Sequence, residues 1–180
     1  MKYLFLIILS VTLGVISQPL QAQQHENYSS HESSEVKHHR IALGLGHAYV
    51  PAHEIRSPLI VPTIGLDYEF WFNSRFALGL HTDLEIQSYL VEHNHQEVLE
   101  RYFPLIVSIV GIYKIWEGLT IYGGPGREFE ENTHLNVLRL GVEYEFEFAN
   151  HWDISPGFFY DNKENVYDAW GIALLIGKKF

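Results

Sequence analysis

The chain has 180 residues, no cysteine and a formal net charge of −10. With no basic stripe to meet phosphates, this balance excludes nucleic acid as a partner, and the missing cysteines exclude disulfides as a source of stability. Beyond the N-terminal segment, no apolar run reaches the roughly 20 residues that a membrane-spanning helix needs, so a mature chain that crosses a membrane does so with strands.

Met1 to Ala22 has the form of a secretory signal. Lys2 is its basic start, Tyr3 to Ile16 its apolar run, and L-Q-A ends at Ala22 with a small-residue cleavage site. Removing it leaves roughly 158 residues, enough for one domain. Residues 23–39 are polar and rich in Ser and His, and read as a flexible arm. His25, His31, His38 and His39 are metal-binding residue types. A solvated tail offers them no fixed geometry, so the reading is a tail and no metal site.

From Arg40 the chain alternates apolar and polar residues. Strands are expected over 40–50, 60–72, 76–91, 99–115, 119–129, 137–148, 152–160 and 167–180. Short turns are expected at Asn73-Ser74-Arg75, Trp116-Glu117-Gly118 and Asn150-His151, with longer polar loops at 51–58, 92–97, 130–133 and 161–166. The fourth strand is apolar on both faces around Leu105–Ile112, which leaves its orientation open. G-G-P-G at Gly123–Gly126 lacks the Lys and Ser/Thr of a phosphate loop and lies within a strand. Pro125 between glycines suits a bulge. Pro62 and Pro104 suit the outer rim, while Pro156 lies inside a strand with no evident reason.

The sixth strand states the pattern most clearly. Leu138, Leu140, Val142, Tyr144, Phe146 and Phe148 alternate with Arg139, Gly141, Glu143, Glu145 and Glu147. Successive strand residues point to opposite faces, so one face is apolar and the other charged or bare. A soluble barrel turns the apolar face inward, and an outer-membrane barrel turns it to lipid.

Three features favour lipid outside. Long and short connections alternate, which puts the three short turns on the side of both termini, as outer-membrane barrels require. Aromatics gather at those turns (Trp71, Phe72, Phe76, Tyr113, Trp116, Phe146, Phe148 and Trp152), as an interfacial belt would. A weaker second ring comprises Tyr49, Tyr89, Tyr102, Phe129, Tyr160 and Tyr167. The polar face combines Asp67, Glu69, Asp83, Glu85, Glu143, Glu145, Glu147 and Asp153 with Arg139, His81 and small residues such as Ala42, Gly44, Gly65 and Gly79. Such a set fits the narrow, filled interior of eight strands. The expected fold is all-β: a closed, antiparallel, up-and-down transmembrane barrel of about eight strands over 40–180.

The last strand, D-A-W-G-I-A-L-L-I-G-K-K-F from Asp168 to Phe180, alternates Trp170, Ile172, Leu174 and Ile176 and ends on Phe180. It resembles the C-terminal signal of outer-membrane barrel proteins. With G-V-E-Y-E-F and G-G-P-G, the chain from Arg40 resembles the small porin-like outer membrane protein β-barrel domain family. The resemblance implies an outer-membrane location, lipid as the surrounding partner, a monomer, and recognition of the strand ending at Phe180 by the barrel-assembly machinery. Lys178 departs from the apolar signal and is expected to snorkel at the membrane edge.

The functional expectation is non-enzymatic: an envelope barrel, or one with a narrow porin-like passage, with no catalytic, cofactor or metal residues. A lipid-modifying deacylase or acyltransferase is the alternative, with Ser88 near His81, Asp83 and Glu85, or with His47, as candidates. A nucleophile and its base must meet within hydrogen-bond reach, yet Ser88 and His81 have opposite strand parity. A soluble lipocalin-like barrel is the third reading and needs the apolar face inside.

Overall fold

The structure, a computed structural model, describes residues 37–51, 59–93, 97–130, 134–164 and 166–180, with the backbone alone at 92, 93 and 97–99. The signal segment, His25, His31 and most of the first long loop lie outside the described residues.

Alternation becomes strand along the whole barrel. The elements are β1 (His39–Val50), β2 (Leu59–Trp71), β3 (Phe76–Glu85), β4 (Tyr89–His93), β5 (Glu97–Arg101), β6 (Leu105–Lys114), β7 (Leu119–Phe129), β8 (Leu135–Tyr144), β9 (Phe146–Phe148), β10 (Trp152–Lys163) and β11 (Tyr167–Lys179). Neighbours run β11-β1-β2-β3-β6-β7-β8-β10, and β10 pairs back onto β11, all antiparallel. β9 continues β8 along β10. Eight staves therefore close into a cylinder that leaves no unpaired edge. At its seam the His39 N–H donates to the Phe180 carbonyl at 3.2 Å, and the Phe180 N–H returns to His39 O at 2.9 Å.

The faces are those of a membrane barrel. Leu140, Tyr144 and Phe146 are 48%, 43% and 55% exposed, whereas Glu143 is 5% exposed. The same outward apolar band continues through Leu43, Leu45, Leu78, Leu80, Ile109, Ile172, Leu174 and Ile176. An exposed apolar surface of this extent is stable only against lipid. The orientation of the fourth stave is also resolved. Ile106, Ser108, Val110 and Ile112 of β6 point inward, and Ile109 points out.

Prolines account for the departures from the expected strands. The expected single strand over 76–91 is broken. Its barrel part ends at Glu85, where β2 presents Pro62 and β6 is preceded by Pro104. Both carbonyls still accept, from Ile86 N at 2.8 Å and Glu85 N at 3.0 Å. Neither proline has an N–H to return, so the ladder stops on both sides at once. The chain then leaves the barrel as a β4–β5 hairpin in its own two-stranded sheet. The expected strand over 99–115 is split as well, at Phe103, which has a φ of 45°.

Pro125 makes no bulge. The β6–β7 register is the same on either side of it, at Ser108↔Gly126 and Gly111↔Gly123, with the two rungs between them absent. Pro156 has the same explanation. The β10 ladder with β8 and β9 is interrupted between Gly157↔Glu143 and Ile154↔Phe146, so its missing N–H falls where no rung is made. The seventh strand reaches Lys163 rather than Tyr160, because Asp161 and Lys163 carry inward side chains that are bonded inside the barrel.

The aromatic rings differ from expectation at three residues. Phe72, Phe76, Trp116, Phe146, Phe148 and Trp152 are exposed at the turn end as expected, but Trp71 points inward and donates its Nε1–H to Glu69 at 2.8 Å. Tyr89 and Tyr167 are buried at the far end instead of joining a lipid-facing ring. Tyr49 does face out, stacked on Trp170 at 4.0 Å between centroids. Lys178 reaches the Asn150 carbonyl at the rim and lies 5.2 Å from the Trp152 ring, as a snorkelling lysine would.

Candidate functional site in the barrel lumen

Inward parity brings the acids of β2, β3, β7, β8 and β10 into a space too narrow for bulk water. The few bases there come from β1, β5, β6, β8, β10 and β11, and they organise the acids into tiers. Near the termini Arg40 forks onto Asp153, with Nε to Oδ2 at 3.0 Å and Nη2 to Oδ1 at 2.7 Å. Its Nη1 donates to Glu69, and Ser155 Oγ accepts from Nη2 at 3.1 Å. In the next tier Arg139 forks onto Asp161 at 2.8 and 2.7 Å and reaches across the lumen to Asp83. Its guanidinium also lies 5.0 Å from the Phe159 ring. Planar guanidinium matches a carboxylate in two parallel bonds, which fixes both side chains.

The outer tier is built on Lys163. Its Nζ donates to Glu85 at 2.8 Å and to Tyr167 Oη at 3.1 Å, and lies 2.8 Å from Glu128 Oε2. Tyr89 Oη donates to Glu85, and Arg101 binds Glu128 and, at 3.3 Å, Glu130. Tyr89 and Arg101 belong to the β4–β5 hairpin, so this tier ties the hairpin to the barrel. Above it Val50, Val61, Val91, Leu135, Tyr167 and Ala169 form a buried apolar cluster. The lumen is thus closed first by ion pairs and then by an apolar cap at the mouth away from the termini.

Aromatic rings fill what the ions leave. Tyr122 and Phe159 lie over Gly141 and Gly171, where a Cβ would come within 2.2 and 2.3 Å of ring carbons. The remaining central cavity is about 20 Å³ and is bordered by Asp67, His81 and Glu143 among others. The possible ligand atoms of these three buried residues lie within 4.8 Å of one another.

The enzyme candidates do not assemble. His81, Asp83 and Glu85 do point into the lumen, but Ser88 lies in the link between β3 and β4. Among the described residues no hydrogen bond joins Ser88 to His81. His47 lies on the outward face, beside Ile172 and Pro62 in register. His38 Nδ1 is 2.7 Å from the Trp71 carbonyl, and His39 Nδ1 is 2.8 Å from Tyr68 Oη with its ring stacked on Phe180. His39 is thus part of the seam, and His38 packs on the end of β2. Sequence parity found Asp67, Glu69, Asp83, Glu85, Glu143 and Asp153 but missed the inward Glu128 and Asp161, as well as Arg40, Arg101 and Lys163, the bases that pair the acids. Arg40 lay at an expected strand end and Lys163 inside an expected loop, and Arg101 is brought in only by the hairpin.

No protein-family model matches the chain, and no curated protein matches it. Solved structures do. The crystal structure of Ail, the attachment invasion locus protein of Yersinia pestis, superposes with a TM-score of 0.54 at 14% identity, over 81% of this chain and 100% of Ail. The N-terminal β-barrel domain of Pseudomonas aeruginosa OprF superposes with a TM-score of 0.51 at 12% identity, over 78% of this chain and 97% of that one. At such identities the likeness is one of fold. Joined to the lipid-facing belt and closed register, it makes this chain a small eight-stranded transmembrane barrel of the outer-membrane type.

Proposed function

We propose that the protein is a monomeric, non-enzymatic outer-membrane barrel whose lumen is sealed, serving the envelope as a structural or surface element. The observation that carries this reading is the lumen itself. Three ion-pair tiers and an apolar cap stand in series along the cylinder, and the central cavity between them holds little more than one water. Fold alone does not fix function, and no nucleophile–base pair among the candidate residues supports the lipid-modifying alternative. The strand ending on Phe180 supports assembly through the barrel-insertion machinery.

Single-channel recording in planar bilayers tests the seal. Silence, or only brief small openings, is expected, and a steady large conductance overturns it. Mass spectrometry of lipid A with and without expression tests the enzymatic rival. The two profiles are expected to be identical.

A further inference from the structure

The arginines leave two lumenal carboxylates, Asp67 and Glu143, without a guanidinium hydrogen bond among the described residues. Arg40 commits Nε and Nη2 to Asp153 and Nη1 to Glu69, and comes only within 3.8 Å of Glu143. Arg139 commits its nitrogens to Asp161 and Asp83. Asp67 accepts a hydrogen bond from the Thr82 N–H at 3.2 Å and, among the described residues, has no guanidinium partner. Two carboxylates facing one small cavity repel strongly where water is scarce.

His81 faces the same cavity and is 2% exposed. Its Nδ1 stands 3.9 Å from Asp67 Oδ2, too far for a hydrogen bond, and its Nε2 is buried with no partner among the described residues. A buried imidazole without a hydrogen bond is costly. Tyr122 packs edge-on against the ring at 4.8 Å between centroids and holds it in place.

One occupant answers the carboxylate repulsion and gives the unbonded Nδ1 a partner, while Nε2 stays in the space beside Gly79 that Val110 and Ile112 also border. We propose that Asp67, His81 and Glu143 form a buried site for a single divalent cation of the class bound by imidazole and carboxylate, for which Zn²⁺ is the probe. Two carboxylates balance its charge and imidazole Nδ1 supplies the nitrogen ligand. Ligands on a bound Zn²⁺ stand roughly 3.5 Å apart, so the side chains, now within 4.8 Å of one another, need only close inward. The site links β2, β3 and β8 across the lumen and is independent of whether the barrel conducts.

The test equilibrates the folded protein in detergent micelles with Zn²⁺, removes the excess by gel filtration and counts metal per chain by mass spectrometry. H81Q and E143Q are run beside the wild type. The wild type is expected to retain one equivalent more than either variant and to gain thermal stability with Zn²⁺ that the variants do not. Metal on the N-terminal histidines is common to all three proteins and cancels. If H81Q does not fold, E143Q alone decides. A proton shared between Asp67 and Glu143 would relieve the same repulsion without metal, and equal metal content in all forms, including none, overturns the proposal.

Discussion

Arg139 shows what an inward charge is for in this barrel. Its guanidinium pairs with Asp83 and Asp161 together, so truncating it strands two buried carboxylates. R139A should lower the stability by about 3–5 kcal/mol, read as an earlier midpoint in urea unfolding from micelles. Replacing Asp83 and Asp161 as well, by apolar residues of similar volume, should recover most of that loss. The cost lies in orphaned charge more than in the worth of the pair. On the opposite face the rule reverses. Leu140 points to lipid near the middle of β8, and L140R should cost about 2–4 kcal/mol, whereas Phe148→Arg at the rim should cost about 0–1. A soluble barrel would reverse this depth dependence or lack it, which the same unfolding measurement checks.

At the scale of elements, the faces were legible and the breaks were not. Period-2 alternation through Leu138–Phe148 sorted the residues onto two faces, because a one-residue slip would turn every side chain over. The alternating loop lengths, aromatic turns and small polar-face residues chose which face meets lipid. The same alternation ran on past Glu85 to Val91 and hid the end of β3. Nothing local to Phe76–Val91 signals that end. It comes from Pro62 on β2 and Pro104 just before β6, which become its neighbours only through the register. The salt-bridge partners were illegible for a like reason: Arg40 meets Asp153 across 113 residues once the cylinder closes. The hairpin also has a testable energetic role. Deleting residues 89–101 leaves every barrel ladder in place, so the variant should still show heat-modifiable gel mobility. It loses the cover that Tyr89 and Val91 give to Val50, Val61 and Leu135, so it should unfold on the order of 3 kcal/mol more easily. Loss of heat-modifiability would mean that the hairpin is needed to form the barrel rather than to cap it.

For the whole molecule, closure sets what the interior can do. A cylinder of eight staves with inward Arg40, Arg139 and Lys163 ties its acids to fixed bases, and the acids outnumber the bases in every tier. Its field is therefore negative even while its path is blocked. Removing the bases should turn the plug into a channel whose selectivity follows from that sign. Combining the hairpin deletion with R40A and R139A takes away the apolar cap and two of the cross-lumen clamps, and frees Asp83, Asp153, Asp161 and Glu69 to hydrate. Carboxylate-lined constrictions favour cations, so this variant should conduct, and in a KCl gradient its reversal potential should lie on the K⁺ side. The hairpin deletion alone should stay nearly silent, because the Arg40 and Arg139 tiers still span the lumen beneath the lost cap. Were it to conduct as freely as the combined variant, the apolar cap rather than the ion pairs would be the seal. An anion-selective current would mean that the acids do not line the path at all.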